Sequence, residues 1–134
     1  MAIPQFSVSR EKAVGVNKGV FFGMLFHARD YIHLAHLDAS GPGSFSLHKA
    51  LNKFYDEILE ITDTLIESTQ GDEGLIKITI PKTELSKSAQ EFLLELREYI
   101  KTQRVIFKES YQQNIIDEIQ QLISQTLYKL KFLK

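Results

Sequence analysis

Residues 36–67 read HLDASGPGSFSLHKALNKFYDEILEITDTLIE, and this stretch decides the fold that we predict. The turn Ser40-Gly41-Pro42-Gly43 ends one helical pattern, because Gly41 can adopt a left-handed cap and Pro42 cannot continue a helix. After the turn, apolar residues recur at alternating spacings of four and three, which is the pattern of a helix in a bundle. These residues are Leu47, Leu51, Phe54, Ile58, Ile61 and Leu65. The stretch therefore predicts two consecutive helices of an all-α fold.

The same periodicity extends over most of the chain. It predicts four helices, over about residues 14–39, 45–69, 84–108 and 111–132. Residues 72–83 differ, because they contain the alternating β-branched run 75–80 followed by Pro81. Such a run is typical of a short extended connector, and the alternative is a strand that pairs with another subunit. We therefore predict that residues 1–134 form a single four-helix-bundle domain. Its long connection between the second and third helices permits a crossover, as in ferritin-like bundles.

Composition limits the function classes that need to be considered. Apolar content of 43% and charged content of 25% are ordinary for a soluble globular domain. No apolar stretch is long enough to span a membrane, and the start of the chain lacks the apolar core of a secretory signal. We therefore expect a cytoplasmic protein with no membrane partner. The net charge of −1 provides no overall attraction to nucleic acid.

The absence of cysteine restricts the chemistry of any metal site. Without thiolates, a metal must be bound by histidine, aspartate or glutamate side chains. Such ligands exclude soft-ligand chemistry and favour iron, with zinc and manganese as alternatives.

Four residues of these types form the candidate metal site: His36, His48, Asp63 and Glu67. The two histidines flank the turn, and the two carboxylates are spaced i, i+4, so that they project from one face of a helix. On an α-helix, however, His48 and Asp63 lie roughly 22 Å apart and cannot share one ion within a chain. The four side chains can meet only if a second copy brings its carboxylates to the histidines of the first. This requirement predicts a two-fold homodimer with two equivalent sites, alone or within a larger homo-oligomer.

The helical wheel of the second helix separates this site from the bundle core. Its apolar seam excludes His48, Asn52, Asp63 and Glu67, which lie on a different face. Tyr55, Leu59 and Ile66 form a second apolar strip beside them. We expect that strip to need a partner, most simply another copy of the chain. A di-iron site inside one bundle is excluded, because the seam is apolar and no Glu-x-x-His sequence occurs. His27, Asp30, His33 and His36 recur every three residues, but steps of three drift by about 60° around the helix, so the four cannot converge on one ion. At most His33 and Asp30 support the interface site, and we expect these two to be exposed.

These residues resemble the motif of the Dps family, the DNA-protecting ferritin-like proteins of starved cells. In that motif a histidine ends the first helix, a glycine follows five residues later, and a second histidine follows twelve residues after the first. An aspartate comes four residues after the second histidine, another aspartate eleven residues later, and a glutamate four residues beyond it. The residues that match are His36, Gly41, His48, Asp63 and Glu67, and the resemblance covers about residues 20–70.

The chain also departs from the pattern of that family. Asn52 replaces the first aspartate, Leu37 replaces an aromatic residue, and Ser68 replaces an arginine. The resemblance implies a ferritin-like fold and an iron-oxidation site shared between two subunits. The change at Asn52 exchanges a charged ligand for a weak neutral one, so we expect weaker metal affinity.

Three functions follow as expectations. The first is a Dps-like homo-oligomer that binds iron at the dimer interface, with ferroxidase or iron-storage activity. The alternative is a non-enzymatic helical assembly or interaction protein that keeps the bundle and the dimer without metal chemistry. A third is a DNA-binding assembly that uses the C-terminal lysines. The N-terminal arm gives little support to DNA binding through a basic tail, because its only basic residues are Arg10, Lys12 and Lys18, with Glu11 among them.

Overall fold

A computed structural model describes residues 17–134 of the chain. The described residues form four α-helices and a short 3-10 turn at Arg104–Ile106. The helices are α1 (Lys18–Asp38), α2 (Ser44–Glu73), α3 (Ala89–Gln103) and α4 (Ser110–Phe132). No strand occurs among these residues, and residues 75–80 belong to an extended connector instead. Over residues 17–134, the prediction of an all-α fold with four helices is therefore confirmed.

Contacts between helix ends give the directions of α1, α2 and α4. Lys18 at the start of α1 pairs with Glu73 at the end of α2, and a tight turn joins the other ends of these helices, so α1 and α2 are antiparallel. Gln112 at the start of α4 donates to the hydroxyl of Thr69 near the end of α2 at 3.3 Å. Helix α4 is therefore antiparallel to α2.

Aromatic contacts give the direction of α3. Phe92 near the start of α3 stacks on Tyr31 in the second half of α1, with ring centroids 4.0 Å apart. Tyr99 near the end of α3 stacks with Phe21 near the start of α1, at 6.0 Å. Helix α3 is thus antiparallel to α1 and parallel to α2. The connection between α2 and α3 must consequently run back along the length of the bundle.

This connector lies directly on the backbone of α1. A Cβ atom added to Gly19 would lie 1.9 Å from the carbonyl oxygen of Lys77, and one added to Gly23 would lie 1.7 Å from that of Thr79. Both distances are far shorter than any van der Waals contact. Glycine at these two positions, one helical turn apart, is therefore what allows the connector to pack against α1.

The end of the connector is fixed by Tyr31, whose side chain is buried. Its hydroxyl accepts hydrogen bonds from the backbone N–H groups of Ser86, at 3.1 Å, and Lys87, at 2.8 Å. The same hydroxyl donates to the carbonyl of Lys87 at 2.6 Å. One side chain of α1 therefore holds the chain just before α3 begins.

The predicted start of the third helix, at Glu84, is wrong. Helix α3 begins at Ala89, because Ser88 and Glu91 form a capping box in which each side chain binds the backbone N–H of the other residue. It also ends before the predicted Lys108, at Gln103, where the 3-10 turn follows.

Two other helix ends differ from the prediction. Helix α2 does not end at the predicted residue 69; it continues through Gly71 to Glu73 and stops at Gly74, where φ is 92°. A glycine inside a helix is tolerated, whereas a residue with positive φ ends the helix. Helix α1 begins at Lys18, after Asn17 caps the N–H groups of Gly19 and Val20. The predicted residues 14–16 lie outside the described part of the chain.

The core is one cluster of buried apolar side chains from all four helices. Its fully buried members include Phe22, Leu51, Phe54, Leu96 and Ile116. Ile66, which we expected in a strip covered by a partner, is only 8% exposed in the single chain, so that strip is shorter than predicted. In the part of the chain that the structure describes, none of the helices has the length and apolar character needed to cross a bilayer.

Candidate metal centre

His36 and His48 lie against each other where α1 and α2 meet. His36 is in the last turn of α1, and His48 is in the second turn of α2. The short connection between them is possible because Gly41 and Gly43 both have positive φ values, 93° and 80°. The two imidazole rings stack, with centroids 3.5 Å apart and an angle of 22° between their planes. The structure thus brings together the two histidines that the sequence singled out.

Each histidine is held by the backbone of the other. The Nδ1 atom of His36 lies 2.7 Å from the carbonyl oxygen of His48, and the Nδ1 atom of His48 lies 3.0 Å from that of His36. A carbonyl oxygen can only accept, so both Nδ1 atoms must carry the hydrogen. In the neutral rings, both Nε2 atoms are therefore left with a free lone pair. Backbone orientation of this kind is how proteins prepare histidines to bind metals.

His33 and Tyr55 extend the stack of the two imidazole rings, and the helical wheel had placed Tyr55 in the apolar strip of α2. The rings of His33 and Tyr55 are parallel to within 18°, with centroids 4.1 Å apart. Tyr55 also meets the ring of His36 edge-on at 5.2 Å. His33 is half-buried and not exposed as we expected. The spacing of His33 and His36 along α1 hinted at a shared face, but it could not reveal which residue of α2 would cover them.

Asn52, the position where the family resemblance fails, is already engaged within the chain. Its side-chain oxygen accepts a hydrogen bond from the hydroxyl of Tyr55 at 2.9 Å. Its amide group donates to the carboxylate of Asp56 at 3.0 Å. The oxygen that could act as a weak metal ligand thus already has a donor.

Asp63 and Glu67 are exposed on α2, away from the histidines. They are four residues apart on one continuous helix, so that their side chains share a face. The helix is unbroken between His48 and Asp63, and its rise separates them by roughly 22 Å. The structure therefore brings the histidines together as one pair and leaves the carboxylates as a second, distant pair. Among residues 17–134, no group of three or more histidine and carboxylate side chains could hold a metal ion.

His27 lies outside this centre and is buried. Its Nδ1 atom lies 3.0 Å from the hydroxyl of Thr83 in the connector. Its ring packs edge-on against Tyr31 and Phe92. Burial lowers the pKa of His27 below its ordinary value, and this effect outweighs the opposing charge of Asp30. His27 thus joins α1 to the connector and takes no part in the metal centre.

Comparison with known proteins gives a family for the chain. Residues 36–130 match a family described as "Family of unknown function (DUF5856)". The matched segment begins at His36, contains all four candidate site residues and covers well over half of the chain. No curated protein and no solved structure matches it. The chain therefore belongs to the DUF5856 family.

Proposed function

We propose that this protein is a ferritin-like, Dps-related homo-oligomer that binds Fe²⁺ at a site shared between two subunits. The observation that carries the proposal is the reciprocal bonding of His36 and His48. Each imidazole donates its Nδ1–H to a carbonyl, so each neutral ring keeps the lone pair of Nε2 for a metal ion, and the two ring centroids lie 3.5 Å apart. Imidazole nitrogens combined with carboxylate oxygens suit Fe²⁺.

The chain topology supports the ferritin-like part of the proposal. Helices α2 and α3 are parallel, so the bundle has one long crossover connection in place of a simple up-and-down path. Ferritin-like bundles have one such connection. The connector lies along α1, as the contacts at Gly19 and Gly23 require.

A second copy would have to supply the missing ligands. Asp63 and Glu67 are exposed and free to approach another molecule. If two α2 helices pack antiparallel about a two-fold axis, the carboxylates of each copy meet the histidines of the other, and two equivalent sites result. His36 and His48 would then bind the ion together with Asp63 and Glu67 of the partner subunit. Fe²⁺ is the substrate: each ion gives one electron to dioxygen or peroxide, which takes up protons and is reduced to water.

The bonding of Asn52 favours one competing function. Because Tyr55 and Asp56 occupy its side chain, the site has one carboxylate fewer than the family motif that the sequence resembles. The competing function is a helical assembly or interaction protein that keeps the bundle and the dimer without metal chemistry. Under the iron-binding function, the missing carboxylate at Asn52 lowers the affinity of the site for Fe²⁺.

Substitution of the exposed carboxylates tests the site without disturbing the core. We expect anaerobic calorimetry to detect stoichiometric Fe²⁺ binding by the wild-type protein. Asp63→Asn with Glu67→Gln should abolish it, because the remaining imidazoles hold the ion weakly. The matched control is Glu98→Gln with Glu118→Gln, which changes two exposed carboxylates on other helices and should leave binding intact. Equal binding by the site variant and the control would refute the proposed ligands.

Two cheap measurements separate the two functions. Metal content is determined after purification, and the aerobic oxidation of added Fe²⁺ is followed by the ultraviolet absorbance of ferric species. If the purified protein contains no metal and does not accelerate the oxidation of Fe²⁺, the second function, a helical assembly or interaction protein, is selected.

A further inference from the structure

Charge is divided sharply along α2. Residues 44–53 contain Lys49 and Lys53 and no acidic residue. Residues 54–73 contain no lysine or arginine and seven carboxylates: Asp56, Glu57, Glu60, Asp63, Glu67, Asp72 and Glu73. We call these two parts the basic half and the acidic half of α2.

The acidic half is unfavourable for an isolated helix. Glu60 and Asp63 are three residues apart, Asp63 and Glu67 are four apart, and like charges at such spacings destabilise a helix. The last turn contains no base, so the carboxylates also oppose the helix dipole. Lys18 compensates Glu73. Within residues 17–134, Glu60, Asp63 and Glu67 have no ion-pair partner, and a cation from outside the chain would relieve the repulsion.

The basic half has a surface that can supply such cations. An open depression is lined by Phe45, His48, Lys49, Asn52, Lys53 and Lys129. The Lys49 ammonium lies 5.5 Å from the centre of the exposed Phe45 ring, and Lys53 pairs with Glu57 one turn along the same helix. Such exposed contacts are weak, so both lysines are available to stronger partners.

We propose that the basic half of α2 in one copy receives the acidic half of α2 in a second copy, and that Lys49 and Lys53 pair with Glu67 and Glu60 of the partner subunit. The helical wheel supports this pairing. Glu67 follows Lys49 by eighteen residues, which is about five whole turns, and Glu60 follows Lys53 by seven residues, about two turns. The four side chains therefore lie along one edge of α2. In an antiparallel two-fold pair, this edge meets its own copy.

The register agrees with the proposed metal site. When Asn52 lies opposite Asp63 of the partner subunit, antiparallel counting places Lys49 opposite residue 66 and Lys53 opposite residue 62. Each lysine is then within about one turn of its proposed glutamate. The inference rests on the two-fold arrangement of the proposed function, but it does not require iron. The lysines hold the metal-free dimer together and set its register.

Charge reversal in the metal-free protein tests the pairing. We expect the wild-type protein to be a dimer in analytical ultracentrifugation at low salt, and added salt should weaken it. The basic-half variant, Lys49→Glu with Lys53→Glu, should weaken dimerisation about a hundredfold or more, and the acidic-half variant, Glu60→Lys with Glu67→Lys, should do the same. An equimolar mixture of the two variants should recover a dimer, because opposite charges face each other at both of the pairings in the mixed dimer. The matched control, Lys101→Glu with Lys108→Glu, reverses two exposed lysines elsewhere and should remain dimeric.

The outcomes separate this inference from the proposed function. A metal-free wild-type monomer, a reversed variant that still dimerises, or a mixture that does not recover overturns the pairing, provided that circular dichroism shows folded helices. If the reversals behave as expected and the wild-type protein does not bind Fe²⁺, the pairing stands and the iron site fails. If Fe²⁺ binds stoichiometrically and the reversals have no effect, the iron site stands and the pairing fails.

Discussion

Replacement of Gly23 by alanine tests how the connector is packed on α1. The new Cβ atom would lie 1.7 Å from the carbonyl oxygen of Thr79 and 2.7 Å from its carbonyl carbon. Both atoms belong to the backbone, so no side-chain rotation can relieve the clash. The connector would have to move by about 1.5 Å or more to restore van der Waals contact.

The size of the effect follows from two opposing terms. Overpacking of this kind costs about 1–3 kcal/mol or more, whereas alanine improves helix propensity by about 1 kcal/mol. The net effect of Gly23→Ala should be to lower the free energy of unfolding by up to about 2 kcal/mol, measured as a lower urea midpoint at an unchanged slope. The matched control is Gly71→Ala, because Gly71 also lies in a helix and a Cβ there meets nothing within 4 Å. It should raise stability by up to about 1 kcal/mol. Equal stabilisation by both substitutions would refute the close approach of the connector.

Three further predictions concern single side chains. Burial lowers the pKa of His27, so the unfolded protein binds a proton at this residue more readily than the folded protein does. The free energy of unfolding should therefore be fully present above pH 6.5 and decrease as the pH falls below that value. The urea midpoint of the His27→Gln variant should lack this part of the pH dependence. Tyr31→Phe leaves the backbone groups of Ser86 and Lys87 without their hydrogen-bond partner and should lower the free energy of unfolding in urea by about 1–3 kcal/mol. An unchanged free energy would show that water replaces the hydroxyl. Asn52→Asp adds a charged ligand and should raise Fe²⁺ affinity about tenfold or more in anaerobic calorimetry, and an unchanged affinity would place this residue outside the site.

The sequence predicted much of the fold, because apolar periodicity is a local signal. The predicted fourth helix, from Tyr111 to Phe132, differs by one residue from the observed helix. The late start of α3 has one local cause and one tertiary cause. The capping box of Ser88 and Glu91 is a local signal that the sequence contains, and the prediction missed it. The hydrogen bonds from residues 86 and 87 to Tyr31 are tertiary contacts, which apolar periodicity does not reveal.

The candidate site was predictable to a similar extent. The proximity of His36 and His48 follows from a tight turn between two helices. The hydrogen bonds at their Nδ1 atoms and the stacking of Tyr55 on His33 depend on how α1 and α2 are rotated about their axes, which spacing alone does not determine. The meeting of the histidines with Asp63 and Glu67 is a property of two chains, so it stays a prediction.

Mixing two variants that each lack one half of the site tests most directly whether the histidines of one chain meet the carboxylates of the other. One copy carries His36→Ala and His48→Ala, and the other carries Asp63→Asn and Glu67→Gln. Neither should bind Fe²⁺ alone. After the two are mixed and allowed to exchange subunits, each mixed dimer has one intact site, so binding should return to roughly a quarter of the wild-type stoichiometry per chain. If mixed dimers form and binding does not return, the two pairs of ligands do not share an ion, and the intersubunit site is contradicted.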